Sequence, residues 1–212
     1  MSEKTGQLAL RGEMKTKIIR ASGPGLGWNL RNRLRWSFVW GWLTTWLAKV
    51  FSRFSGIVTL TSELSIRAKL NGRWVNFGVV SRRVVTDAFV AYVVDDWDSG
   101  ANVIDNFNYH GCGTGAVAEA AGDIALGAEC TTVLNPDSTR ATGTKSQPAA
   151  NQMRTIGTPA FDGAAAVTEH GVFTQAATGG GTLMDRSVFA VINVASGDSI
   201  QFTYTLTLNS GG

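Results

Sequence analysis

Side chains able to do chemistry are sparse in this chain. It has two histidines and two cysteines, His110, Cys112, Cys130 and His170. They show no Cys-x-x-Cys or His-x-x-x-His spacing, so no zinc set is expected. Two cysteines do not make a disulfide framework, and Cys112 and Cys130 read as reduced thiols of a protein assembled in a cytosol. Asp95, Asp96 and Asp98 crowd together before Gly100. Calcium needs clustered oxygen ligands, but the twelve-residue loop and its closing Glu are missing. A solvated helix end is expected instead, although acids sit badly with the dipole there. The run Gly111-Cys112-Gly113-Thr114-Gly115 has the glycine content of a phosphate cradle. No Lys-Ser or Lys-Thr follows it and no Rossmann unit surrounds it, so a turn between elements is expected. Glu169, His170, Asp185 and Arg186 fall on strands expected to be adjacent. They could form an acid–base pair, but a cross-strand Glu–Arg pair at a sheet surface is the commoner arrangement. No nucleophile with its base is visible. The expectation is a protein without a catalytic site, cofactor or metal.

The elements that must carry these groups are best defined at the C-terminal end. Ile200, Phe202, Tyr204, Leu206 and Leu208 alternate with Gln201, Thr203, Thr205 and Thr207. A period of two puts the first set on one face of a strand and the threonines on the other. Residues 166–173 and 183–189 form two further apolar runs, separated by Gly179-Gly180-Gly181, and Ser196-Gly197-Asp198 precedes the last run. Glycine clusters of this kind mark turns. Three antiparallel strands of a sandwich or barrel follow.

These segments carry a resemblance. The strands Glu-x-Gly-Val-Phe, Leu-Met-x-Arg-x-Val-Phe and Asp-Ser-Ile-Gln-Phe-Thr-Tyr-Thr-Leu-Thr resemble small β-sandwich proteins of tailed bacteriophages. Upstream, Tyr109-His110-Gly111-Cys112-Gly113-Thr114-Gly115 and the Ala-rich run to Leu126 look like the matching segment of that group. The resemblance covers roughly residues 106–212. It implies a structural role in a virion assembled in a bacterial host cytoplasm, and no chemistry. Such proteins serve as tail, fibre-base or head-surface parts, and the resemblance does not choose among them.

Upstream of this region the pattern changes twice. Val58, Leu60, Leu64, Ile66, Ala68 and Leu70 alternate with polar residues, then Asn71-Gly72 precedes Arg73-Trp74-Val75-Asn76-Phe77. Asn-Gly between alternating runs predicts a hairpin, because both turn residues need positive φ. Thr86 can cap a helix over residues 88–97 with Phe89, Tyr92, Val93 and Trp97 as its apolar stripe; the β-branched content keeps a strand open as an alternative. Val103, Asp105, Phe107 and Tyr109 alternate as a strand entering the glycine loop, with one ring of Tyr109 and His110 inside and one at the surface. Residues 116–121 suggest a helical turn, residues 135–138 a turn, and residues 139–144 and 153–161 further strands.

The charge is divided unevenly. The formal net charge is +3. Residues 1–83 hold fifteen Lys or Arg against three Glu, whereas the remainder holds four basic residues against thirteen acidic ones. A basic front on an acidic body implies a partner for the front: nucleic acid, an anionic lipid surface or an acidic protein surface. Residues 1–56 form a basic arm and residues 57–212 the β domain. In the arm, Trp28, Trp36, Trp40, Trp42 and Trp46 are five of the seven tryptophans. Trp36, Trp40, Leu43, Leu47, Val50 and Phe54 recur at helical spacing, bracketed by Arg31, Arg33, Arg35, Lys49 and Arg53. The uncharged run over 36–48 is too short to span a bilayer of about 30 Å. Docking on a neighbouring subunit is the leading reading and packing on its own domain the next; a membrane interface, which Trp and flanking Arg would suit, is not expected. No signal peptide is visible, since the apolar run lies far from Met1.

Together these features predict a mainly β protein, an antiparallel, jelly-roll-like sandwich with a basic, Trp-rich helical arm. Its expected function is structural: a capsid decoration or a collar or tail accessory of a tailed phage. Trp28, Arg31, Arg33, Arg35, Trp36, Trp40, Trp42 and Trp46 would bind other virion proteins (capsid, collar or tail subunits). A homo-oligomer is expected, and sequence-specific nucleic-acid binding is not, because no base-reading motif is visible. The alternative is a receptor- or glycan-binding module of a tail fibre, for which Trp74 and Trp97 are the aromatic candidates outside the arm.

Overall fold

The computed structural model describes residues 58–82, 85–100 and 102–210. The arm residues named above therefore lie outside the described residues.

The domain starts where alternation starts. β1 (Thr59–Leu70) and β2 (Arg73–Ser81) form the expected hairpin around Asn71 and Gly72, whose φ values are 50° and 77°. β1 also pairs with β11 (Ser199–Asn209), from Thr59 opposite Asn209 to Lys69 opposite Ser199. Leu64, Ile66 and Ala68 on one strand and Ile200, Phe202, Tyr204 and Leu206 on the other are each at most 4% exposed. The threonines between them face away, as the period of two requires. Leu208 shares the inward register but is exposed, because it lies near the end of β11.

The first sheet has the order β2-β1-β11-β7-β6, with β6 at Thr144–Ala149 and β7 at Gln152–Gly157. Short strands β4 (Leu134–Asn135) and β8 (Ala160–Phe161) extend it beside β11. The second sheet has the order β10-β9-β3-β5: β10 Leu183–Val194, β9 Ala165–Phe173, β3 Tyr109–Gly113, β5 Ala141–Thr142. The pairings are antiparallel throughout. The sheets face each other across one core; Phe189 of β10 meets Phe202 of β11 with ring centroids 6.2 Å apart. The chain is thus a mainly β sandwich.

The one α-helix among the described residues, α1 (Asp87–Ser99), is capped as expected: Phe89 N donates to Thr86 Oγ1, and Gly100 ends it at φ 61°. The Thr86 hydroxyl also donates to Leu183 O at 2.5 Å, fixing the helix start on β10. Phe89 is buried and Tyr92 and Val93 pack on the core. Phe107 closes against Phe89 and Tyr92, edge to face.

Four expectations are corrected. Trp97 does not share a face with Phe89, Tyr92 and Val93 on the core; it is 82% exposed on the last turn of α1. The strand expected over 103–109 begins only at Tyr109, and Ile104–Asn106 is a 3-10 turn. The glycine run is not a turn, because Gly111 and Gly113 lie inside β3. A Cβ on Gly113 would stand 2.4 Å from Ala128 O, so glycine is required there by close approach of another segment. Residues 116–121 are irregular chain and contain no helical turn.

Candidate functional site

β9 and β10 place Glu169 and Arg186 side by side on the outer face of the second sheet. The two are bonded at 2.7 and 2.8 Å, and they are buried, not at a sheet surface as the sequence suggested. The segment that buries them is the loop after β3. Its backbone N–H groups at Gly115, Gly127 and Ala128 donate to the Glu169 carboxylate at 2.7–2.9 Å. Burial alone would raise the carboxyl pKa; the N–H donors of Ala128 and Gly127, Arg186 and the Gly115 N–H override it and hold the group below its ordinary value. Arg186 reaches onward to Asp123 Oδ2 at 3.0 Å and Val117 O at 3.2 Å. A general base needs a lone pair aimed at a substrate, and these donors already surround the carboxylate. The Gly115 N–H, which a phosphate cradle would use, is also taken.

A second ion pair holds the neighbouring loops. Arg140 is bidentate to Glu129 at 2.5 and 3.0 Å. It also donates to Gln175 O and Gly180 O, and lies over the Phe173 ring at 3.5 Å. Leu126, Phe173 and Leu183, with Tyr109 half-buried beside them, make a small apolar cluster.

The inner face holds two uncharged rings. His110 and His170 are fully buried, with His110 Nδ1 2.9 Å from His170 Nε2. His110 Nε2 lies 3.0 Å from Thr155 Oγ1, which donates to Asn108 Oδ1. That direction assigns the tautomers. Thr155 gives its proton to Asn108, so His110 Nε2–H donates to Thr155 and His110 Nδ1 accepts from His170 Nε2–H. The remaining atom, His170 Nδ1, is a bare lone pair without a protein partner. Burial lowers His110 to about 3, and burial followed by its neighbour His110 holds His170 well below the ordinary imidazole range. Both rings are therefore uncharged at neutral pH. His170 lies against Phe202 with centroids 4.3 Å apart.

The soft ligands do come close. β3 sets Cys112 opposite His170, and Cys130 N donates to Cys112 O at 2.8 Å. Both thiols are free and buried. The bond to Cys130, followed by burial, pushes the Cys112 thiol well up, so it keeps its proton. Among the described residues no group of three His, Cys, Asp or Glu is arranged to hold a metal.

Buried polar groups that periodicity missed tie elements together across the fold. Asp185 accepts from Ser62 of the first sheet at 2.7 Å and from Ser187 at 2.9 Å. Asp198 accepts from Asn71 N and Ala195 N, locking the first hairpin to the turn before β11. The only sequence signal is that Asp185, Arg186 and Ser187 interrupt an apolar strand on both faces.

On the surface, Trp74 lies under Arg67, with the guanidinium carbon 4.6 Å from the ring centroid. That ring face is covered by a cation and is closed to a sugar. α1 presents a different surface. Val90, Val94 and Trp97, at i, i+4 and i+7, are 45%, 55% and 82% exposed. The helix is therefore apolar on two faces, and the second could have been read from that spacing. Its charged residues are all acidic: Asp87, Asp95, Asp96 and Asp98. Among the described residues no helix is long and apolar enough to cross a membrane.

No protein-family model matches the chain, and no curated protein is significantly similar to it.

Proposed function

We propose that this protein is a structural part of a tailed-phage virion, a head decoration or a collar or tail accessory, held to neighbouring virion subunits by its basic, Trp-rich arm. The observation that carries this reading is how the domain uses its buried charges. Arg140, Glu169, Asp185, Arg186 and Asp198 are all bonded within the fold, fixing loops to sheets and strands to each other. The domain is tied internally, and its adhesive features lie at its edge and in the arm. Trp and Arg are typical anchors of protein interfaces, and the arm concentrates both.

Deleting residues 1–54 is expected to leave a folded β domain that no longer joins the particle. Quantitative electrophoresis of purified particles measures copy number, and antibody labelling of intact particles separates head from tail. Incorporation of the truncated protein at normal copy number would overturn the proposal. The glycan-binding alternative retains one feature, the exposed ring of Trp97; it requires binding to host-surface glycans that Trp97→Ala abolishes.

A further inference from the structure

The outer face of α1 has no partner within the described domain. Its stripe of Val90, Val94 and Trp97 spans two helical turns, and Trp97 is the most exposed of the large apolar side chains described. Exposed apolar clusters of this kind mark interaction sites. The acidic residues restrict what can fit there. Asp87, Asp95 and Asp98 are exposed, and three of the four carboxylates lie in the last turns of the helix, where no basic residue is present. That end of a helix carries partial negative charge, so carboxylates there repel it and each other unless a cation is brought in. The occupant must therefore be both apolar and basic.

The chain contains such a segment outside the described residues. Between residues 14 and 62 there is no acidic residue. Within 28–54 stand Trp36, Trp40, Leu43 and Leu47 at three- and four-residue spacing, with Arg31, Arg33, Arg35, Lys49 and Arg53 at the two ends. An amphipathic segment laying its apolar side along an apolar stripe is a common recognition mode. Here the basic ends would meet the aspartates flanking Trp97. Among the described residues nothing covers the stripe.

We propose that the outer face of α1 is the acceptor for the basic, Trp-rich segment of a second copy of this chain. This rests on the reading of the arm as an attachment element and names its receptor. The contact is heterologous: arm to helix face, with each copy still offering its own arm and its own face. Such contacts close into rings when the rotation allows and otherwise extend into rows. Opposite charges on the two surfaces would also steer the encounter and make it salt-dependent.

The test is sedimentation velocity of the full-length chain, beginning with the wild type, Trp97→Glu and Val94→Glu, and with Trp74→Glu as a control on another surface. Circular dichroism establishes that each variant is folded. The wild type and Trp74→Glu are expected to sediment as oligomers, and the two α1 variants to associate at least tenfold more weakly. A charge exchange provides the second arm. Arg31, Arg33 and Arg35 changed to Glu should weaken association, and Asp95→Lys with Asp98→Lys in the same chain should restore it. Oligomers unchanged by both α1 variants would overturn the proposal, as would a wild-type monomer. A wild type that stays monomeric but binds vesicles of anionic phosphatidylglycerol would also overturn it and assign the segment to a lipid surface. Particle incorporation is read separately. If the arm deletion blocks incorporation while the α1 variants still self-associate, only the acceptor assignment fails. If the α1 variants dissociate while the arm-deleted chain still enters particles, the virion attachment reading fails and the self-docking stands.

Discussion

The two faces of the second sheet handle buried polarity in opposite ways. On the outer face Glu169 and Arg186 keep full charges, and the sheet needs a long loop to supply the donors that solvate them. On the inner face His110 and His170 are neutral and bond to each other and to Thr155, with only protons to arrange. Charge can be buried where irregular backbone supplies N–H groups. Between two sheets, whose backbone groups are committed to ladders, polar side chains must be neutral or, like Asp185, be met by hydroxyls from both sides.

Removing one partner on each face gives the largest effects. Arg186→Ala leaves Glu169 buried with no cation and is expected to cost roughly 3–5 kcal/mol. Phe202→Ala opens a cavity against His170 and is expected to cost a similar amount, about 3–5 kcal/mol. Urea denaturation measures both. A loss under about 1 kcal/mol for Arg186→Ala would mean that water replaces the guanidinium, and the outer face would no longer count as a buried ion pair.

The pH dependence separates the faces further. His110 titrates at about 3 when folded and near 6.5 when unfolded, so the unfolded chain takes up its proton first. Stability present at neutral pH is then lost as pH falls below 6.5, by about 2 kcal/mol at pH 5 for His110, with His170 adding in the same direction. The Glu169 contribution has a lower window, because its folded pKa is below 4.5 and its share is lost only as pH falls past that value. Urea midpoints between pH 7 and 4 should show the first slope, and His110→Gln should reduce it, leaving the share of His170. An unchanged slope in that variant would place the protonation elsewhere. The smallest expected effect is Thr203→Ala, under about 0.5 kcal/mol, because Thr203 lies on the face of β11 turned away from Phe202. If it costs as much as Phe202→Ala, β11 is buried on both sides.

What was legible in the sequence depended on local causes. The Asn71-Gly72 turn follows from positive φ, the last strand from a period of two, and the start of α1 from the Thr86 hydroxyl. The glycines of β3 misled because their reason is tertiary: Gly113 makes room for Ala128, and a Cβ on Gly111 would stand 2.9 Å from Glu129 Oε1 and from the Phe173 ring. Glu169 and Arg186 were paired correctly by strand adjacency but placed at the surface, since nothing local announces that a loop will cover them. Trp97 falls into one stripe with Phe89, Tyr92 and Val93 by spacing, because spacing alone does not say which of two apolar faces the core covers. The link from Ser62 to Asp185 joins residues 123 positions apart, which no periodicity can reveal.

The pairing of β1 with β11 has a mechanical consequence. Thr59 lies opposite Asn209, so the chain enters and leaves this part of the domain at the same end. A pull between those two points would peel the strands apart one bond at a time, at low force. A pull on the segment preceding Thr59, with the domain gripped at its opposite end, loads the whole ladder from Thr59 to Lys69 in shear, so that its bonds resist together. A particle that swells or strains would meet the stiffer direction if the arm is its tether.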